Sequence, residues 1–333
     1  MIITKFEEVK KIYENCAKKG WVIPCLCSEN QTTTEAILEA CSEYGKKIGE
    51  RVPISIAITV NYSHRQQAIN YSNANDWKTG LELFKGDIHA LAGKGAKYED
   101  VDVLIHLDHV QFDDDIELIN SDLSDYSSIM YDASALPFEK NIEYTANFVK
   151  KMKGKILIEG ACDEIVDATG TEHNALTTPE NAKRYIDETG VDMIVANLGT
   201  EHRATGKELK YHGDLAREIK QVIGSTIVLH GTSSVTNDQV SQLFSDGVCK
   251  VNIWTALERD TSKPLFYDMV KNASKVAGPE IIDKLIEEGY LTEKCRTGDK
   301  INIAYFTARY RQGIIFEEMK KMVTTYLEMW YVK

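Results

Sequence analysis

Long apolar runs are missing from this sequence. None approaches the roughly 20 residues that a membrane-spanning helix requires, and the first segment, charged throughout from Met1 to Lys19, carries no basic-then-apolar leader. The expected location is therefore cytoplasmic. Positive charge is also in short supply: 39 lysines and arginines stand against 51 aspartates and glutamates, a formal net charge of -12. An acidic surface repels phosphate backbones and anionic lipid, so the expected partner is a small molecule, with no nucleic acid and no membrane. Proline is down to six residues, and no Gly-, Ser- or Pro-rich stretch marks a linker. The seven cysteines are odd in number and scattered, which fits reduced, mostly buried thiols better than a disulfide framework. Cys25 and Cys27 share one face of a strand-like run, where core packing is favoured over a Cys-x-Cys metal site.

What remains is the composition of a folded globular chain, 43% hydrophobic and 27% charged. Short β-branched or apolar runs recur at Val22–Leu26, Ile54–Val60, Val103–Leu107, Ser128–Tyr131, Ile156–Ile158, Met193–Leu198, Ile227–Leu229 and Val248–Val251. Between them lie amphipathic segments such as Thr32–Glu50 and Pro179–Thr189, the latter ending at Gly190. Strands alternating with helices imply parallel βαβ units, and eight of them imply an α/β fold of the (β/α)8 barrel type. Ser63–Tyr98 is too long for one crossover helix and predicts an additional helix or two. After Glu258 the pattern is helical to the end. The expected organisation is one domain over 1–333, with a barrel core over about 20–260 and a C-terminal helical extension over 261–333.

Active sites of such barrels lie at the C-terminal ends of the strands. There the sequence places His106-Leu107-Asp108-His109, Glu159, Gly199-Thr200-Glu201-His202, His230-Gly231-Thr232-Ser233-Ser234 and Asn252. A single histidine near a strand end is usually a satisfied core or surface residue. Three on rigid strand ends, with a fourth position open, are what a catalytic Zn²⁺ needs. Asp108 beside them reads either as a general acid/base or as a carboxylate that orients a histidine. His106 shares a face with Asp108 and is expected to support it through hydrogen bonds.

These motifs, with Glu180-Asn181-Ala182-Lys183, Thr189-Gly190-Val191-Asp192 and Val251-Asn252-Ile253-Trp254-Thr255, resemble the class II fructose-bisphosphate and tagatose-bisphosphate aldolase family. The resemblance implies His109, His202 and His230 as zinc ligands, Glu159 approaching the metal, and Asp108 as the acid/base at the cleaved bond. It leaves room for a monovalent cation besides zinc. It implies substrate contacts at Asn30, Arg203, Gly231, Ser233, Asn252 and Thr255, and a lid over Gly160–Leu176 whose Glu164 or Glu172 exchanges the carbon-bound proton. A Lewis-acid cation would stabilise the charge left on the ketone fragment, so no lysine nucleophile is required. A homodimer or homotetramer is expected.

The chain also departs from the family pattern. Arg203 follows His202 where glycine is usual, Thr205 and Gly206 replace a tyrosine and a lysine, the lid has lost its glycine-rich sequence, and Trp254 fills a position usually small or acidic. Three rival readings stand beside it: an aldolase for a non-phosphorylated or otherwise atypical ketose, a zinc hydrolase on the same barrel, and a non-catalytic sugar-binding relative.

Overall fold

Strands that are apolar on both faces must lie between a filled interior and a layer of helices. The computed structural model, which describes residues 1–164 and 176–331, meets that demand by closing eight parallel strands in chain order. They are β1 (Ile23–Cys27), β2 (Pro53–Thr59), β3 (Asp102–Gln111), β4 (Ser128–Asp132), β5 (Leu157–Ala161), β6 (Met193–Val195), β7 (Ile227–Leu229) and β8 (Val248–Ile253). Closure is made at β1, where Cys25 pairs with Ser55 of β2 on one side and Asn252 of β8 on the other. This is the expected (β/α)8 barrel.

Local chemistry explains the helix limits. Helix Gln31–Ile48 starts where the Asn30 side chain accepts from the Thr32 and Thr33 N–H groups, a cap worth about 1 kcal/mol. Helix Pro179–Thr189 starts behind the Thr178 cap and stops at Gly190, whose φ of 73° favours glycine. Ser63–Tyr98 supplies two helices, Gln67–Asn70 and Trp77–Ala92.

Three strand ends differ from the sequence reading by three residues or more. β3 runs on through His109 to Gln111. β5 continues to Ala161, three residues beyond the expected end. β6 stops at Val195 rather than Leu198, because Asn197 turns to the chain at Thr177: Thr177 N–H donates to Asn197 O at 3.0 Å, and Asn197 N–H to Thr177 Oγ1 at 2.8 Å.

The C-terminal extension is a series of helices, chiefly Thr255–Lys271, Pro279–Glu287 and Ala308–Trp330. The last is tied to the barrel. Trp330 Nε1 donates to Val240 O at 2.8 Å, Tyr44 Oη donates to Tyr331 O at 2.9 Å, and Trp21 and Tyr331 pack ring to ring at 4.7 Å. Among the described residues no helix is long and apolar enough to cross a membrane.

Candidate active site

Successive side chains of a regular strand point to opposite faces, so Asp108 and His109 should not serve one site. β3 resolves this with a bulge. Its register with β4 shifts between Leu107 and Val110, and His109 takes the left-handed backbone at φ 48°. A bulge re-aims side chains at a barrel rim. Asp108 thereby lines a cavity with His202 and His230, while His109 joins the same two imidazoles.

The three rings sit edge to face, with centroids 5.1 Å (His109–His202), 5.0 Å (His109–His230) and 5.5 Å (His202–His230) apart. One nitrogen from each lies within 4.8 Å of the others. His109 and His230 each keep a buried Nε2 without a hydrogen-bond partner. Buried polar atoms are normally satisfied, so two orphaned nitrogens facing a common point fit a metal ion. Burial holds the His230 imidazole well below its ordinary pKa, in the neutral form a metal binds.

His109 is fixed from behind, its Nδ1 lying 2.8 Å from Asp132 Oδ2 and its ring stacked on Tyr62 at 4.3 Å. A carboxylate in that position sets the tautomer and raises ligand basicity. Asp132→Ala is therefore expected to weaken the affinity of the three histidines for a divalent metal ion by roughly 10- to 100-fold, read by calorimetric titration; unchanged affinity would reduce Asp132 to a packing role.

Asp108 is gripped on several sides. Asn252 Nδ2 donates to Oδ1 at 2.8 Å, Arg65 Nη2 donates to Oδ2 at 2.5 Å, and the Cys27 thiol lies 3.5 Å from Oδ2. Burial alone would raise the carboxyl's pKa. His109, the His106 hydrogen bond and Arg65 override it and hold Asp108 well below the usual carboxylate range. Arg65 is stacked on Trp254 with its guanidinium carbon 5.0 Å from the ring centre, and the Trp254 Nε1–H donates to Glu29.

A charged layer lies under this site. Lys250, fully buried, donates to Glu159 Oε1 at 2.5 Å and lies 3.1 Å from His106 Nε2. His106 Nδ1 meets Ser128 Oγ at 2.8 Å. The expectation that Glu159 approaches the metal is corrected here. Because β5 continues past it, Glu159 lies within the barrel, paired with Lys250, and is not in the group formed by the three histidines. His106 supports the site, as expected.

Gly231, Ser233, Asn252 and Thr255 line one cavity with Asp108, His202 and His230. Gly231 has φ 71°, and a Cβ there would stand 2.8 Å from the Glu201 backbone, so only glycine lets these loops close up. Arg259 clamps the same loops, donating to Ala204 O at 2.8 Å and Ser233 O at 3.0 Å. Arg203 does not line that cavity; its Nη2 lies 3.2 Å from His64 Nδ1. Asn30 is occupied as a helix cap and is absent from the cavity wall. Glu164 lines a cleft on the other side of His109, with Tyr62, His64 and Asp132. Glu172 lies outside the described residues.

Arg65, Asp132 and Lys250 were not anticipated. For Asp132 a signal existed: it ends the apolar strand β4, and that end deserves the same scrutiny as those carrying histidine.

Comparison with known proteins agrees with this geometry. A solved fructose-bisphosphate aldolase from Campylobacter jejuni is similar over 99% of this chain and 95% of its own, at 20% identity and a TM-score of 0.74. The YdjI aldolase from Escherichia coli K12 is similar over 99% and 97% of the two chains, at 16% identity and a TM-score of 0.67. At these identities the likeness concerns the fold. The sequence model of the family described as fructose-bisphosphate aldolase class-II matches residues 7–329, nearly the whole chain, and the chain therefore belongs to that family.

Proposed function

We propose that the protein is a zinc-dependent aldolase that reversibly cleaves a ketose phosphate or bisphosphate into dihydroxyacetone phosphate, or a close analogue, and an aldehyde. The observation that carries this reading is the meeting of the His109, His202 and His230 nitrogens beside Asp108, whose carboxylate accepts from Arg65 and Asn252. Those imidazoles would hold the zinc, a Lewis acid that stabilises charge on the ketone fragment's oxygens by several kcal/mol in order of magnitude, roughly as in other metal-assisted reactions.

Asp108 then acts on the other fragment. As a carboxylate it accepts the hydroxyl proton as the carbon–carbon bond breaks, and in condensation it returns that proton to the aldehyde oxygen. Asn252, with Nδ2 committed to Asp108 and Oδ1 without a partner, offers an acceptor to a hydroxyl of the ketone fragment. Gly231, Ser233 and Thr255 hold that fragment's phosphate. Glu164, which lines the cleft on the His109 side, moves the carbon-bound proton in this reading.

A Schiff-base route through Lys250 has no support. Its ammonium is buried in the barrel, donating to Glu159 Oε1 and 3.1 Å from His106 Nε2, and it does not line the cavity that Asp108, His202 and His230 share. Stripping the enzyme with a chelator is expected to reduce ketose cleavage to background, with zinc restoring it. Full activity in the stripped enzyme would sink the reading.

A further inference from the structure

A phosphate entering the cavity that Asp108 shares with Gly231, Ser233 and Thr255 brings roughly two negative charges at neutral pH, beside a carboxylate that already carries one. Backbone N–H groups alone leave that charge unmatched, so a cation is needed, and the candidates are few. Arg203 lies outside the cavity, beside His64. Lys207 is exposed and does not line it. Arg259 is spent: Nη1 donates to Ala204 O and Ser233 O, while Nε and Nη2 donate to Asp260. Among the described residues that line the cavity, Arg65 is the one lysine or arginine.

Arg65 has donors to give. Its side chain is nine-tenths buried; Nη2 donates to Asp108 Oδ2 at 2.5 Å, and the Nε–H, also buried, has no partner. A guanidinium carries five N–H donors in a fixed fork, and a buried donor left unmade costs stability until a ligand takes it. The fork is held in place by Trp254, 5.0 Å from ring centre to guanidinium carbon, and the indole by its donation to Glu29. Trp254 also precedes helix Thr255–Lys271, which begins without a side-chain cap. Thr255 and Ala256, its first residues, line the same cavity, so the free N–H groups and the positive end of that helix are offered to the same space.

We propose that Arg65 binds the phosphate of the ketone fragment, completing with the start of helix Thr255–Lys271 a phosphate site whose cation comes from the loop after β2. The proposal rests on the aldolase reading and sharpens it: one guanidinium links the substrate's phosphate to Asp108, the proton carrier. A planar fork can serve both anions at once, where an ammonium would be a single point charge.

The test follows solvent-deuterium exchange into dihydroxyacetone phosphate and into unphosphorylated dihydroxyacetone on the zinc-loaded enzyme. Exchange needs no aldehyde, so it reads the ketone end alone. The parent is expected to favour the phosphorylated ketone. Arg65→Gln is expected to lower kcat/KM for that ketone by about 10- to 100-fold, chiefly through KM, and to change the value for dihydroxyacetone by less than about threefold. Arg65→Lys, which keeps the charge without the fork, is expected to fall between parent and Arg65→Gln. A preference that Arg65→Gln leaves unmoved, whether both rates fall together or neither does, overturns the proposal and makes Arg65 a positioning residue for Asp108 alone. A parent that prefers dihydroxyacetone overturns it too. The same variants are compared in condensation with glyceraldehyde and glyceraldehyde 3-phosphate, where a loss confined to the phosphorylated aldehyde puts Arg65 at the other end of the ketose and likewise overturns it. If the parent exchanges neither ketone, the aldolase reading beneath fails instead.

Discussion

Asp108→Asn is expected to lower kcat by about 10²- to 10⁴-fold, the usual contribution of a positioned general acid/base, while zinc content stays near that of the parent protein. Asparagine is chosen over alanine because it keeps an acceptor oxygen for Arg65, while its amide nitrogen faces Asn252, whose own amide can turn to accept. Alanine would strand a buried guanidinium and confound the assay with instability. Zinc is measured by elemental analysis alongside turnover. If the metal is lost with the activity, Asp108 belongs with the groups that orient ligands, and the proton must move elsewhere.

The second large effect is on stability. Lys250→Ala is expected to destabilise the fold by about 3–5 kcal/mol, because it leaves Glu159 charged and unpartnered inside the barrel. Chemical denaturation would measure it. The variant Lys250→Met/Glu159→Gln removes both charges and should recover a large part of the loss. If the double variant is no more stable than Lys250→Ala, then shape rather than charge governs this layer.

The barrel was legible in the sequence because its eight strands and their helices differ in hydrophobic period, and period survives without tertiary information. The histidine cluster was legible for a related reason: His109, His202 and His230 interrupt or follow apolar runs, where a polar residue is conspicuous. Lys250 was not, since one lysine in Val248–Val251 reads as a surface residue until its partner is known, and that partner, Glu159, belongs to another strand. Glu159 was misplaced by the same kind of gap. Reading its strand as ending at Ile158 put it at the mouth, and three more paired residues move it inside. Arg65 lies in a loop, where charge is unremarkable; only folding brings its guanidinium onto Trp254 and Asp108.

The kink at His109 makes the proposed proton carrier, Asp108, and the proposed metal ligand, His109, geometrically inseparable. On the proposed mechanism, adjoining positions would serve opposite halves of a bond-breaking event from a single fixed corner, without a hinge or second segment to bring them together. Straightening that corner, by deleting one residue from β3, would swing one of the pair outward among the helices and leave the other without its counterpart.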